Sequence, residues 1–236
     1  MNQLMLGDYI TSPKRGELSA TPYGRLAEWD LASFLAQRDE LHRQALAEVA
    51  DRIHPSAVIH PTAQIGDDVL IGEDAVVHEF SSVRKGAVLC AGVRVGFNCE
   101  VTNAILCEDA VLGHRIGVNS ALIGAGAHLS ANVTLAAISL SPDMRRPERE
   151  IVLRTPAGLY RCGTAAFSAL IGDRVQTGNS ISLGPGVVVG RGTSISSGVM
   201  LAARCLPAEH HVAAPHATNA HVRPRPRTTA PQDVTP

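Results

Sequence analysis

Large aromatic side chains are scarce in this 236-residue chain, which contains only four Phe, three Tyr and one Trp. Conventional globular cores use such rings for much of their buried area, so a core of that kind is disfavoured. Lysine is scarcer still, because Lys14 and Lys85 are the only lysines among the 21 basic residues. An anion site would therefore depend on arginine or on backbone N–H groups. The planar N–H donors of arginine fit a phosphate better than the ammonium group of lysine does.

The chain also lacks a strong charge imbalance, long apolar runs and paired cysteines. Its formal net charge of −1 gives no basic field for nucleic acid or an acidic membrane. No stretch approaches the roughly 18 apolar residues of a membrane span, and MNQLMLGDYI lacks the layout of a signal peptide. The cysteines show no CxxC spacing, which argues against disulfides or structural zinc; they are Cys90, Cys99, Cys107, Cys162 and Cys205. We therefore expect a cytoplasmic protein without nucleic-acid or membrane partners.

A six-residue repeat dominates the sequence from residue 53. Its first nine units begin with an aliphatic residue, at Ile53, Ile59, Ile65, Ile71, Val77, Val83, Leu89, Val95 and Val101. Four residues after each comes a small or apolar residue, at Ala57, Ala63, Val69, Ala75, Ser81, Ala87, Val93, Cys99 and Ile105. The frame slips by one residue before Leu106 and again before Ile123, and residues 171–206 keep the last frame. This period is typical of hexapeptide repeats.

Hexapeptide repeats predict an all-β solenoid, a left-handed parallel β-helix. Each hexad supplies one short strand and a corner, three hexads close a triangular coil, and both apolar positions point inward. A narrow prism of this kind has no room for large rings, which explains the low aromatic content. Seven coils at about 4.8 Å each would make it about 34 Å long. Its left-handed winding is an exception to the right-handed crossover rule.

Three segments do not follow the repeat. Residues 1–52 form an N-terminal segment. Within it, residues 27–52 carry apolar residues at helical spacing with Asp30 as the N-cap, and we expect this helix to cap the open first coil. The β-helix is predicted over residues 53–206. Residues 139–167 interrupt it as an excursion with a strand, a Pro-Ala-Gly turn and a second strand. Residues 207–236 are Pro-rich and polar, which predicts a disordered tail.

One outward position of the repeat carries a histidine. In LGHRIGV (residues 112–118), His114 stands where other hexads prefer Gly, Asp, Glu or Pro. An outward histidine on such a prism is more often a surface or interface residue than a catalytic one. Hexapeptide prisms are mostly trimers whose sites lie in the clefts between neighbouring prisms, so outward residues are the ones that could act. The residues alone leave both interpretations of His114 open.

The order of segments resembles one family. The runs EVTNAILCEDAVLGHRIGVNSALIGAGAHLSAN and FSALIGDRVQTGNSISLGPGVVVGRGTSISSGV flank the excursion. Together they are similar to the acetyltransferase half of bifunctional sugar-1-phosphate nucleotidylyltransferase/acetyltransferases, nearest to the archaeal-type members that share the excursion. The resemblance covers about residues 53–205, and LIGDRVQTGNSISLGPGV is its most specific part. It implies a homotrimer that uses acetyl-CoA as co-substrate to acetylate an amino sugar such as glucosamine-1-phosphate.

The resemblance also implies roles for individual residues. His114 takes the place of the general base, which accepts a proton from the acceptor amine as that amine attacks the thioester; imidazole titrates near working pH and suits this task. Arg84, in VRKGAV, matches a phosphate-binding arginine, and Arg94 is a second candidate for holding the acceptor. The CoA-binding positions fall at Ala131, Asn179, Ser197 and Arg204, the last placed to meet a phosphate.

Several acceptor-binding positions depart from the family. Its sugar-contacting lysine is Thr102 here, its tyrosine three residues after the histidine is Gly117, and two of its asparagines are His128 and Ala137. These departures favour a changed acceptor, with loss of activity as the alternative. The first 52 residues are too few for the nucleotidylyltransferase domain and hold no Gly-rich phosphate loop, so nucleotide transfer is not expected.

The predicted function is acyl transfer from acetyl-CoA to the amine of a phosphorylated or nucleotide-linked amino sugar, with no metal. A non-catalytic scaffold or sugar-phosphate-binding trimer is one alternative, favoured by the missing lysine and tyrosine. A metal site like that of γ-class carbonic anhydrases is another: His78 and His114 lie two coils apart, but Asn119 stands where a close third ligand is needed. Cys162 could be a nucleophile, yet no activating base is near it in sequence, and a buried thiol is expected.

Overall fold

The hexads form very short strands of two or three residues, each followed by a corner. A computed structural model of the chain describes residues 3–214. Successive strands join three parallel sheets in strict rotation, and these sheets of eight, seven and seven strands form the three faces of a prism. The predicted left-handed parallel β-helix is confirmed.

The strands before the excursion are β1 (Val58–Ile59), β2 (Gln64–Ile65), β3 (Leu70–Ile71), β4 (Val76–Val77), β5 (Ser82–Arg84), β6 (Val88–Leu89), β7 (Arg94–Val95), β8 (Glu100–Thr102), β9 (Ile105–Leu106), β10 (Val111–Leu112), β11 (Gly117–Asn119), β12 (Leu122–Ile123), β13 (His128–Leu129) and β14 (Thr134–Leu135). The excursion contains β15 (Val152–Thr155) and β16 (Gly158–Arg161). After it come β17 (Ala169–Ile171), β18 (Gln176–Thr177), β19 (Ser182–Leu183), β20 (Val187–Val189), β21 (Ser194–Ile195), β22 (Met200–Leu201), β23 (Arg204–Leu206) and β24 (His211–Val212).

Each face takes every third strand. The first face contains β1, β4, β7, β10, β13, β18, β21 and β24. The second contains β2, β5, β8, β11, β14, β19 and β22, and the third contains β3, β6, β9, β12, β17, β20 and β23. We call the corner from the first face to the second the first corner, the corner from the second face to the third the second corner, and the remaining one the third corner.

The strand register shows where the repeat changes length. Val83 pairs with Val101, eighteen residues later, whereas Val101 pairs with Val118, seventeen residues later. The missing residues belong to the second corner, where Asn103 and Ser120 have left-handed φ angles of 51° and 50°. A short polar side chain tolerates this conformation, so these corners can turn with one residue fewer. Both predicted slips are confirmed.

The β-helix ends later than predicted. Val189 pairs with Leu206, seventeen residues on, because a third short corner lies at Ala203, where φ is 25°. β24 then pairs with β21 on the first face, so the β-helix continues past residue 206. This last strand, at His211–Val212, lies within the predicted tail. The rest of that tail, residues 215–236, lies outside the described residues.

The inward positions fill the prism with aliphatic side chains. From Ile71 to Val101 every leading residue of a hexad is buried, whereas those of the first coil are half-buried. Ser81 is a buried polar residue among them: its hydroxyl donates to the Gly96 carbonyl (2.6 Å) and accepts from the Cys99 N–H (2.9 Å). Its hydrogen bonds are therefore satisfied, as a buried hydroxyl requires.

The N-terminal segment contains the predicted helix, α1 (Leu31–Glu48). As predicted, Asp30 is its N-cap, and the carboxylate accepts a hydrogen bond from the Ser33 N–H (3.4 Å). Three unpredicted 3-10 helices precede it, at Leu6–Asp8, Glu17–Ala20 and Pro22–Glu28. Within residues 3–214, no helix has both the length and the apolar character that crossing a membrane requires.

Helix α1 lies along the second corner, not over the open first coil as expected. Arg38 donates to the Gly86 carbonyl (3.1 Å), and His42 Nε2 donates to the Asp68 carbonyl (2.7 Å). Phe34, one helical turn before Arg38, is fully buried. The 18 residues of α1 span about 27 Å, so the helix buries more apolar surface beside several coils than it could over one coil.

The excursion projects from the same second corner, between β14 and β17. Its two strands pair antiparallel as the predicted hairpin. The Tyr160 hydroxyl donates to the Asp30 carboxylate (2.8 Å) and accepts from the Ala32 N–H (2.6 Å). The excursion is therefore joined to the first turn of α1.

His42 is expected to make stability depend on pH. His42 is buried between Tyr23 and the prism. The Tyr23 hydroxyl forms a hydrogen bond with His42 Nδ1 (2.7 Å). Burial lowers the pKa of His42, and the charge of Arg38 lowers it further. The hydrogen bond to the Asp68 backbone and the charge of Asp39 oppose this decrease without reversing it. The unfolded chain therefore binds more protons, and the free energy of unfolding falls as pH drops below about 6.5.

Urea unfolding at pH 7.5 and 5.5 measures this effect. We expect the wild type to lose more stability between these values than His42→Gln, whose amide does not titrate. An equal loss in both proteins would contradict the role of His42.

Candidate active site

His114 lies at the first corner, between β10 and β11, with its side chain exposed. Corners of successive coils stack about 4.8 Å apart, so equivalent residues form a row along the prism. The strand register places Ala131, Asn179 and Ser197 in the three coils after His114. The predicted base and three of the four predicted CoA-binding positions are thus adjacent in one row, which we call the first-corner row.

Hydrogen bonds fix the first-corner row. Asn132 N–H donates to the His114 carbonyl (2.9 Å), Ala131 N–H to Asn179 Oδ1 (3.1 Å) and Asn179 N–H to Ser197 Oγ (2.9 Å). The side chains of Asn179 and Ser197 therefore brace the corners. The His114 side chain makes no hydrogen bond to any residue in 3–214, so its imidazole can accept a proton from a ligand.

A groove of about 460 Å³ runs along the second face beside the first corner, lined in part by Arg84, Glu100 and Gly117. Arg84 and Glu100 form a half-exposed ion pair. Thr102 is buried, pairs with Arg84 across β5 and β8, and donates to Glu100 Oε1 (3.3 Å). A Cβ added at Gly117 would meet nothing within 4 Å, so the absent tyrosine leaves open space.

The remaining predicted residues lie apart from this groove. His128 is exposed on the first face, in β13. Arg204 is on the third face, in β23, and its Nε donates to the Ala202 carbonyl (3.4 Å). Within one chain Arg204 is separated from Ser197 by the whole width of the second face. Ala137 is buried.

Sequence reasoning missed an aromatic pair beside His114. The register of β7 and β10 puts Phe97 directly before His114 in the first-corner row. Phe80 contacts it edge-on, with ring centroids 5.8 Å apart and an interplanar angle of 87°. The two are 39% and 60% exposed, although the chain has only four Phe. Their placement at outward positions of an otherwise small-residue repeat was the available signal.

The cysteines and histidines give little support to the other chemistries. All five cysteines are free, and burial raises the pKa of Cys162 to about 12. Cys162 is therefore a protonated thiol at neutral pH and a poor nucleophile. Among residues 3–214, no three His, Cys, Asp or Glu side chains are grouped so that they could hold a metal ion.

Comparison with known proteins gives matches to the repeat region. Residues 49–151 match the family model described as the GMPPB C-terminal domain. Over 95 residues the chain is 27% identical to the uncharacterized acetyltransferase YaiX of Escherichia coli, an alignment that covers 40% of this chain and 39% of YaiX. The predicted resemblance to the hexapeptide-repeat domain of acetyltransferases is confirmed. The chain spans well under half the length of the curated relatives that it matches.

Solved structures with a similar fold include two acyltransferases. The UDP-N-acetylglucosamine acyltransferase of Arabidopsis is 20% identical, with 63% of this chain and 60% of that chain covered and a TM-score of 0.31. The acetyltransferase domain of PglB from Neisseria gonorrhoeae, solved with acetyl coenzyme A, is 22% identical, with coverages of 76% and 63% and a TM-score of 0.26.

Proposed function

We propose that this protein transfers an acetyl or related acyl group from CoA to the amine of a phosphorylated or nucleotide-linked amino sugar. The first-corner row carries the proposal, because an exposed histidine is followed there by three outward positions suited to a long, thin cofactor. Similarity to YaiX, which is named an acetyltransferase, supports the same class of reaction.

In the proposed reaction, the acceptor nitrogen attacks the carbonyl carbon of the thioester. A C–N bond forms, the C–S bond breaks, and CoA leaves as a thiolate that takes up a proton to become the thiol. His114 accepts the proton that the attacking nitrogen loses. Because the His114 side chain is exposed and makes no hydrogen bond to residues 3–214, it can be the base without breaking an existing contact.

We propose that the protein acts as a homotrimer. The first-corner row and the groove on the second face are open to solvent in a single chain, and a neighbouring prism would supply the missing wall. Sedimentation velocity should give three times the 24.9 kDa chain mass. A monomer that still turns over acetyl-CoA would contradict this arrangement.

Arg84 is proposed to hold the phosphate of the acceptor. Arg84→Gln should raise the KM for a phosphorylated acceptor about tenfold, since a charge-assisted hydrogen bond is lost, with little effect on an unphosphorylated acceptor. Glu100→Gln is the matched control: it removes the competing carboxylate and should leave this KM unchanged or lower it. An unchanged KM in Arg84→Gln would overturn the role.

Release of free thiol from acetyl-CoA, measured across amino-sugar phosphates and nucleotide-linked amino sugars, tests the proposed function. We expect turnover with at least one acceptor and saturable binding of acetyl-CoA by calorimetry. No turnover and no binding would overturn the proposal. Binding of the sugar phosphates alone would indicate the scaffold alternative, which the departures at Thr102 and Gly117 favour.

A further inference from the structure

A second cavity lies between α1 and the second corner. It has a volume of about 570 Å³, which is room for a small ligand with a ring, and it adjoins a smaller cavity that reaches the excursion. The helix contributes Arg38 and Arg43, and the prism contributes Lys85, Thr102 and Asn119. We call this cavity the helix groove. The first-corner row and His114 are not part of its lining.

Arg38 is a nearly buried cation that forms no ion pair with a carboxylate of residues 3–214, although the charge of the neighbouring Asp39 acts on it. It is only 7% exposed, yet its one hydrogen bond to residues 3–214 runs from Nη2 to the Gly86 carbonyl. It lines both the helix groove and the adjoining cavity. Its remaining guanidinium nitrogens are not enclosed by protein, because Arg191 Nε is the only buried unpaired side-chain donor in the described chain.

A guanidinium that has lost most of its hydration and forms no ion pair is unfavourable, even where part of it still faces a cavity. Residues 3–214 supply the Gly86 carbonyl as a hydrogen-bond acceptor for Arg38 but no carboxylate at ion-pair distance. Such a residue is explained if an anionic ligand supplies the missing charge, because arginine presents a planar fork of N–H donors that matches phosphate.

Lys85 is a second unpaired cation at the same groove. It is exposed, forms no hydrogen bond or ion pair with residues 3–214, and precedes the glycine whose carbonyl accepts from Arg38. Its φ of 53° holds it in the left-handed conformation at the second corner. Lys85, one of the two lysines in the chain, thus lines the same cavity as Arg38.

The charged residues of the lining, three basic and two acidic, leave the helix groove with at most one net positive charge. Thr102, Asn103 and Asn119 offer hydroxyl and amide groups. Asp39 and Asp68 are acidic members of the lining, while Arg43 is paired with Glu40. His42 is already held between Tyr23 and the Asp68 carbonyl. Among the described lining residues, two cations, Arg38 and Lys85, and the two carboxylates thus have no ion-pair partner.

We propose that the helix groove binds a phosphorylated small molecule, with its phosphate on Arg38 and Lys85 and the rest of the molecule against the amide and hydroxyl groups. This site is separate from the first-corner row, and the inference does not depend on acetyl transfer. The phosphate could belong to a sugar phosphate or to the 3′-phosphate of CoA, and the chemistry at Arg38 is the same for both.

Calorimetry at constant ionic strength, with inorganic pyrophosphate as the probe, tests the proposal on the full chain. We expect saturable binding to wild type and at least about a tenfold rise in Kd for both Arg38→Met and Lys85→Asn. Methionine keeps the length of Arg38, and asparagine tolerates the left-handed φ of residue 85. Arg25→Met, an exposed arginine paired with Glu28, is the control and should bind as wild type does.

Thermal unfolding without ligand separates a binding role from a structural one. Arg38→Met should keep or raise the melting temperature, because it removes a buried charge, and pyrophosphate should no longer raise it. If Arg38→Met lowers the melting temperature while binding persists, or if wild type shows no saturable binding, the proposal is wrong. Should Arg38→Met fail to fold, Lys85→Asn decides, since that exposed side chain is not needed for packing.

Competition identifies the source of the phosphate. Displacement of pyrophosphate by an amino-sugar phosphate and not by the free sugar would assign the site to a sugar phosphate. Displacement by CoA and not by dephospho-CoA would assign it to CoA. His114→Ala should bind pyrophosphate normally, so failure of the proposed acyl transfer and failure of this site can be told apart.

Discussion

Acetyl transfer by His114→Ala is expected to fall at least about a hundredfold, the usual minimum for loss of a general base. The melting temperature should not change, because the side chain is exposed and makes no hydrogen bond within residues 3–214. A substitution of this kind normally changes stability by less than about 0.5 kcal/mol. Thiol release under saturating acetyl-CoA, together with thermal unfolding, measures both quantities.

His78→Ala is the matched control for this variant. His78 is another exposed histidine, next to the first corner and two coils away, where it faces Glu79 at 3.6 Å. Its removal should leave turnover near the wild-type value. Full activity in His114→Ala would refute the assignment, and equal losses in the two variants would point to a general effect of the corner on binding.

Gly96→Ala is expected to lower the free energy of unfolding by more than about 4 kcal/mol. A Cβ at Gly96 would lie 1.6 Å from the Gly113 carbonyl oxygen and 2.7 Å from that of Leu112. Both contacts are with backbone, so no side chain can rotate away, and the stacked corners must separate. Because Gly113 precedes His114, turnover should fall as well. Urea unfolding and thiol release measure the two effects.

Two nearby glycines serve as controls. A Cβ at Gly113 would approach the Leu129 carbonyl oxygen at 3.2 Å, which a small shift relieves, and one at Gly117 would meet nothing within 4 Å. Alanine at these positions should therefore cost much less than at Gly96. Similar losses of stability in all three variants would mean that the short distance between the stacked backbones at Gly96 is not the cause of the loss.

The sequence predicted the β-helix well because each inward position meets the same environment in every coil. Two register slips were visible because several hexads followed each one and restored the pattern. The third, at Ala203, escaped because only two strands, β23 and β24, follow it before residue 215. The 3-10 helices were not predictable, since single turns such as Leu6–Asp8 are too short to have a period.

The candidate site was predictable only in part. The family resemblance singled out His114, Asn179 and Ser197, and the strand register places them in one row. Helix α1 was predicted as an element, but its position depends on contacts such as Arg38 with Gly86, 48 residues apart. No local pattern encodes a contact of that range, so the helix groove could not be predicted. The contact of Phe97 with Phe80 joins residues of different coils, so only their outward placement in the repeat pointed to it.

Within residues 3–214, all variation in the length of the coils is confined to one edge of the prism. At the first corner every strand begins five residues after the end of the preceding one, from Ile59 and Gln64 to Ile195 and Met200, and the third corner is equally constant. The second corner alone loses single residues, carries α1 and admits the excursion. Insertions and deletions can therefore change that edge while the spacing of the first-corner row stays the same. A change of acceptor could therefore arise from changes at the second corner, while the proposed catalytic and CoA-binding residues at the first corner keep their positions.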